Sequence, residues 1–292
     1  MLLPPPPTAE TWPALHAEPL ARWAPALDAL RATWRLPDDA WSRLPGGEDS
    51  AVFASGPDVV KLVPPFLAAD PAREVAVLRR LGLSVPTPRV LDVAELEGWT
   101  AVRMSRLDGV RAADVWSTLP RADQRRLLTR IGELLRELWA TPLEPSDGDP
   151  LALFERLRVR ADRHASTGFD ATIAYLARID GSLPAPALLH LDLHDGNFLV
   201  AERGGRWELS GVLDLVASRA FYPPLDLVAP GVFLARGDGA ALRALLDGAG
   251  LDLGPADLAA WHLLHPFSSL PRDLAMAGLS GFEHLEALWR AA

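Results

Sequence analysis

The sequence predicts an α+β chain of two lobes, a small lobe built on an antiparallel sheet with one helix and a larger, mainly helical lobe. Three observations carry this. Short β-type runs punctuated by glycine and proline fill the stretch from Gly46 to Met104, the most regular amphipathic pattern follows at 121–140, and from Pro223 onward the pattern is helical with glycine and proline breaks. At 292 residues, 49% hydrophobic and 23% charged, the chain can bury cores for both lobes. The expected division is 1–104 for a helical segment plus the small lobe and 105–292 for the large one.

Residues 8–45 carry Trp12, Leu15, Leu20, Trp23, Leu27, Leu30 and Trp34 at mostly three- or four-residue spacing, an amphipathic helical pattern whose tryptophans belong to a core or packing surface. Ser50–Ala54 and Asp58–Val63 read as strands joined by a Gly56-Pro57 turn, with Lys61 near the end of the second. Asp70 before Pro71 gives an N-cap signal for a helix over roughly 71–81. Trp99–Met104 reads as a strand that Leu107-Asp108-Gly109 breaks. The helix over 121–140 ends at Thr141-Pro142, and shorter helical patterns follow at about 151–164 and 170–180. Ala187–Leu191 is an apolar run, and FLVAE with WELSGVLDL flanks a glycine turn, forming a hairpin.

Composition excludes several classes. There is no cysteine, which removes disulfides, thiolate metal sites and cysteine nucleophiles. The formal net charge of -9, with no basic stripe, argues against a nucleic-acid partner. No window approaches a membrane span and the N-terminus lacks a signal pattern, so the expectation is a cytoplasmic chain without membrane attachment, monomeric or weakly dimeric.

The chemistry concentrates in His190-Leu191-Asp192-Leu193-His194-Asp195-Gly196-Asn197, which has the H-x-D-x-x-x-x-N spacing of a kinase catalytic loop. Phosphoryl transfer needs a carboxylate to accept the proton of the attacking hydroxyl, here Asp192, and an amide oxygen on the metal side of the same loop, here Asn197. A second acid is needed to hold magnesium, and Asp214 supplies it at the end of the hairpin. His190 reads as architectural. His194 is placed either to touch the γ-phosphate or to face solvent.

The loop HLDLHDGNFLV followed by GVLDL resembles the aminoglycoside phosphotransferase and choline kinase family, relatives of the eukaryotic protein kinases. The resemblance spans about residues 46–230 and implies a protein-kinase-like fold, use of ATP and Mg2+, and a small-molecule hydroxyl acceptor. It places Lys61 on the α and β phosphates with Glu74 as its helix partner. Met104 to Asp108 would be the hinge that meets adenine through its backbone, and Asp226 would orient the catalytic loop. Gly47 and Ser50, in Gly46-Gly47-Glu48-Asp49-Ser50, would sit where the family covers the phosphates. That turn is not G-x-G-x-x-G, and a plain two-glycine turn fits it nearly as well. Residues 141–180 and the C-terminal helices would form the acceptor site, with Asp252, Asp257, Asp273, Glu283 and Glu286 available to cationic amines. Two other classes share these features: a nucleotide-binding regulatory pseudokinase, opposed by the presence of Lys61, Glu74, Asp192, Asn197 and Asp214, and a protein kinase, opposed by the lack of an Ala-Pro-Glu element.

Overall fold

A computed structural model describes residues 2–47, 49–67, 69–166, 172–180 and 183–291. Its contacts divide the chain into two units, Met1–Arg80 with Thr87–Leu107, and Leu81–Pro86 with Asp108–Ala292. The fold is α+β and of the two-lobed protein-kinase type, an antiparallel sheet dominating the first unit and helices the second.

In the first unit, α1 (Trp12–His16) and α2 (Leu20–Trp34) precede β1 (Ser42–Arg43), β2 (Ala51–Ser55), β3 (Asp58–Val63), α3 (Ala69–Arg80), β4 (Val90–Leu96) and β5 (Trp99–Ser105). The continuous helix expected over 8–45 is therefore corrected. Pro19 opens α2, and Arg35, left-handed at φ 53°, closes it ahead of Pro37. Residues 42–43 then join the sheet. Asp70 is also not an N-cap: it lies inside the first turn of α3 and pairs with Arg73 at 3.2 Å.

The strands run in the order β1-β2-β3-β5-β4, all antiparallel, so β3 lies in the middle. Alternation puts Phe53, Val60, Leu62, Trp99 and Ala101 together in one buried cluster with Trp12, Trp23, Leu27 and Leu30 of the N-terminal helices. The tryptophan stripe is thus core: Trp23 meets Trp99 edge-on at 5.8 Å and Trp12 at 6.4 Å. Lys61, between Val60 and Leu62, points to the opposite face. Strand β4 was not anticipated, and as an edge strand it leaves Leu91 and Val93 exposed.

The second unit contains β6 (Val110–Arg111), α4 (Ala112–Val115), α5 (Arg121–Trp139), α6 (Pro150–Ser166), α7 (Thr172–Asp180), β7 (Ala187–Leu189), β8 (Phe198–Arg203), β9 (Arg206–Val212), β10 (Arg219–Phe221), α8 (Val228–Pro230), α9 (Gly239–Ala249), α10 (Pro255–Leu264), α11 (Leu270–Met276) and α12 (Leu285–Leu288). The expected start of α7 at 170 lies outside the described residues. Helix α5 buries Leu127, Leu128, Ile131, Leu134, Leu135 and Leu138. It lies so close to α9 that a Cβ on Gly132 would strike the backbone at Leu245 and Ala249, and one on Gly248 the backbone at Thr129. Strands β8 and β9 form the expected hairpin, with β6 pairing beside β8, while β10 pairs with β7.

Candidate active site

Strand β7 is apolar and fully buried, so it carries the chain through the core and delivers His190 at its end. The His190 imidazole is itself buried. Its Nδ1 accepts from the Asp192 N–H at 3.3 Å, so Nε2 carries the proton and donates to Leu213 O at 2.9 Å. Burial pushes its pKa down to about 4, which keeps the ring neutral, as that tautomer requires. The ring thereby ties the start of the loop to the residue before Asp214.

The far end of the loop makes the complementary tie. Leu213 N–H donates to Asn197 O at 2.9 Å, while Asn197 Nδ2 donates to Asp192 O at 2.8 Å and lies 3.4 Å from Asp192 Oδ2. The loop and the end of β9 are thus laced together within this unit, and Asp192, Asn197 and Asp214 occupy one neighbourhood. With its nitrogen turned to Asp192, Asn197 keeps Oδ1 as an oxygen donor. One carboxylate and one amide oxygen are hard ligands of the kind magnesium takes, with phosphates and water to fill the shell. Among the described residues, no group of three or more His, Cys, Asp or Glu side chains is arranged to hold a metal by itself.

Asp226, just beyond β10, grips the loop backbone from below. Its Oδ1 accepts from Leu191 N at 2.7 Å, and its Oδ2 accepts from His190 N at 3.1 Å and from Trp139 Nε1 at 3.1 Å. Burial pushes its pKa up to about 6, and those three donors oppose the rise without cancelling it. Trp139 was not singled out in the sequence, because nothing local ties the end of α5 to a carboxylate 87 residues away.

His194 accepts from Gly196 N on Nδ1 at 3.0 Å, and its Nε2 lies 4.0 Å from Asp192 Oδ2. Asp195, 3.6 Å from Nδ1, raises its pKa most, with Asp192 and Asp214 adding to the rise. Asp195 also receives the Arg236 guanidinium at 3.1 Å. His194 is half-buried beside Phe233, with ring centroids 5.7 Å apart.

In the first unit, Lys61 Nζ donates to Glu74 Oε2 at 2.9 Å, and the two residues are 6% and 2% exposed. The sheet and α3 hold this pair on the face away from the tryptophan cluster. Gly47 has φ +73°, and Ser50 N–H donates to Gly47 O at 3.0 Å, while Glu48 lies outside the described residues. Ser50 itself is buried, with no hydrogen-bond partner for its hydroxyl among the described residues. Met104 is buried on β5 opposite Val59 and Val90, and Arg106 N–H, just past the strand, donates to Pro57 O at 2.8 Å.

The carboxylates considered for cationic acceptors are largely engaged. Asp273 is buried and accepts from His262 at 2.8 Å and from Arg272 at 2.7 Å, Asp257 pairs with Arg178 at 2.7 Å, and Glu286 accepts from Tyr175 OH at 2.7 Å. Asp252 and Glu283 are on the surface.

A buried lysine–glutamate pair joining the sheet to α3 in one unit, and in the other an H-x-D-x-x-x-x-N loop laced to a following acid, are consistent with a phosphotransferase of the kinase fold. Residues 40–264 match the phosphotransferase enzyme family, and the chain belongs to it, which places it among the small-molecule kinases. Solved structures agree on the fold. The chain superposes on the GDP complex of aminoglycoside 2'-phosphotransferase-IIIa with a TM-score of 0.67 at 18% identity, covering 90% of this chain and 97% of that one. It matches the aminoglycoside phosphotransferase APH(3'')-Id from Streptomyces rimosus, in complex with ADP and streptomycin, with a TM-score of 0.60 at 20% identity, covering 84% and 98%. No helix among the described residues is long and apolar enough to cross a membrane.

Proposed function

We propose that this chain transfers the γ-phosphate of ATP, with magnesium, to a hydroxyl of a small molecule, and that Asp192 is the catalytic base. The observation that carries this reading is the lacing of Asp192, Asn197 and the Leu213-Asp214 strand end into one rigid neighbourhood by hydrogen bonds of 2.8–2.9 Å. Catalysis of phosphoryl transfer is mostly positioning and charge neutralisation, and such a loop supplies both.

Asp192 would accept the acceptor's proton as its oxygen attacks phosphorus. Its side chain is 31% exposed, while the backbone around it is fixed by Asp226. Asp214 and Asn197 Oδ1 would hold magnesium, which when bound offsets charge on the phosphate oxygens. Lys61, fixed by Glu74, would meet the α and β phosphates, and the turn at Gly47 and Ser50 would offer backbone N–H groups. Ser50 would contribute by closing that turn, since its N–H is given to Gly47 O and its side chain is buried. His194, whose Nδ1 accepts from Gly196 N–H, would present its Nε2–H to the γ-phosphate as a donor. The nucleotide complexes of the related structures support this use of the fold.

The engagement of Asp257, Asp273 and Glu286 favours an acceptor that does not depend on a cluster of free carboxylates, so a test panel must reach beyond aminoglycosides to sugars and amino alcohols. The test is a radiolabel screen of ATP against such a panel, repeated with Asp192→Asn. Removal of a general base typically lowers turnover by about two to four decades. Asp192→Asn should do so with nucleotide affinity nearly intact, and near wild-type turnover would overturn the assignment.

A further inference from the structure

We propose that Trp139 is a positioning residue for the catalytic loop, acting through its indole N–H on the carboxylate of Asp226. The inference rests on the reading of Asp192 as the base. Helix α5 packs its leucines at 127, 128, 131, 134, 135 and 138 into the core, and Trp139, its last residue, is only half-buried. A side chain needed merely for bulk at a helix end has no reason to aim its single polar atom inward. Trp139 does so, at 3.1 Å from Asp226 Oδ2.

That oxygen is shared. Asp226 Oδ2 also accepts from His190 N at 3.1 Å, and Oδ1 accepts from Leu191 N at 2.7 Å. Asp226 is 1% exposed, so its ionised form depends on these three donors for the solvation that water would otherwise give. Two of the donors are the loop itself. Among the described residues Trp139 is therefore the donor that holds the carboxylate from outside the loop, and it fixes where the oxygens sit when the loop hangs from them. Leu191 is left-handed at φ 67° immediately before Asp192, so a shift of its amide changes the direction in which the Asp192 side chain leaves the backbone.

The test uses the full chain and Trp139→Phe, which keeps an aromatic ring and removes only the donor, beside Trp139→His, which offers a ring N–H again. Amide hydrogen exchange is read at His190 and Leu191, with Ile131 in the middle of α5 as an internal reference. Slow turnover of Mg·ATP with water as acceptor supplies kcat and KM. Loss of one hydrogen bond to a carboxylate corresponds to about a tenfold change. Trp139→Phe should therefore exchange about tenfold faster at His190 and Leu191, with Ile131 unchanged, and lose about tenfold in kcat with the KM for ATP within about twofold. Trp139→His should recover part of both. Wild-type exchange and kcat in Trp139→Phe would overturn the inference, as would equal impairment of the two variants, which would make ring volume the cause. An Asp192→Asn variant with wild-type turnover would overturn the base assignment instead, and the exchange measurement would still decide whether Trp139 holds the loop.

Discussion

Acid should weaken this fold in a way that can be counted in protons, because three buried titrating groups of the helical unit oppose one another. His190 and His265 are buried neutral, their pKa values pushed down to about 4 and about 3 by loss of water. An unfolded chain would protonate both near 6.5. Between those limits the unfolded state binds two protons that the folded state does not, so stability falls as pH falls. Asp226 acts the other way. Burial pushes it up to about 6, so near pH 5 the folded chain holds a proton there that an unfolded aspartate does not, a contribution present at low pH and lost as pH rises through 6.

The net difference that these three groups make near pH 5 is about one proton, worth about 1.4 kcal/mol of stability per pH unit. Asp226→Asn removes the opposing group and should steepen the slope by about 1.4 kcal/mol per unit, whereas His265→Gln should lower it by about as much. The raised pKa of His194 contributes above about pH 6.5, and the lowered ones of Glu97, Glu137 and Asp273 mainly below about 4.5, so neither set disturbs the window much. Urea denaturation followed by tryptophan fluorescence and by circular dichroism at several pH values from 6 down to 4.5 gives the slopes, provided the two probes coincide. Equal slopes for wild type and Asp226→Asn would refute the opposition, and an unchanged slope in His265→Gln would refute the buried neutral imidazole.

Removing one side chain of the buried Lys61–Glu74 pair should cost about 3–5 kcal/mol, while the double replacement Lys61→Met with Glu74→Leu should recover most of it. Thermal denaturation of the singles and the double checks this, and additive losses would contradict it. Magnesium should tighten ATP binding in wild type, Asp214→Ala should remove that tightening more completely than Asn197→Ala, and calorimetric titration of ATP with and without magnesium measures both. Full magnesium-dependent tightening in Asp214→Ala would remove Asp214 as the metal acid.

What could be read in the sequence was what local physics encodes. The hairpins at Gly56-Pro57 and Gly204-Gly205, the strand at 99–105 and the helix at 121–139 announce themselves through alternation, glycine turns and helical periodicity. Strand β4 did not, because both its faces carry exposed residues and an edge strand has little apolar alternation to offer. Strand β10 escaped for a different reason: three residues pairing with β7 thirty or more positions away leave no local trace. The break between α1 and α2 was available in Pro19 but masked by the tryptophan spacing that runs across it. At the candidate site, the loop residues stood out through their spacing. Their support, Trp139, is a side chain reaching across the fold, and only the structure brings it to notice.

Backbone strain gives an independent reason to place the chemistry where the loop puts it. Five non-glycine residues among those described have positive φ. Three sit where chains ordinarily turn: Arg35 closes α2, Glu97 stands with Gly98 in the tip between β4 and β5, and Arg236 stands with Gly237 ahead of α9. The other two are Leu191 at φ 67° and Asp214 at φ 60°, one immediately before the proposed base and the other the proposed metal ligand itself. A left-handed non-glycine residue costs about 1–3 kcal/mol and persists only where its surroundings over-determine it. Both positions are over-determined here: Leu191 N–H is held by Asp226, and Leu213, just before Asp214, is held on its N–H by Asn197 and on its carbonyl by His190. At 191 the left-handed turn buries the leucine and sends the next side chain, Asp192, out to partial exposure. A loop built only for stability could relax both residues into ordinary conformations. That the fold instead holds strain at these two places, with buried polar groups fixing both, is what a site needing two carboxylates in fixed positions requires.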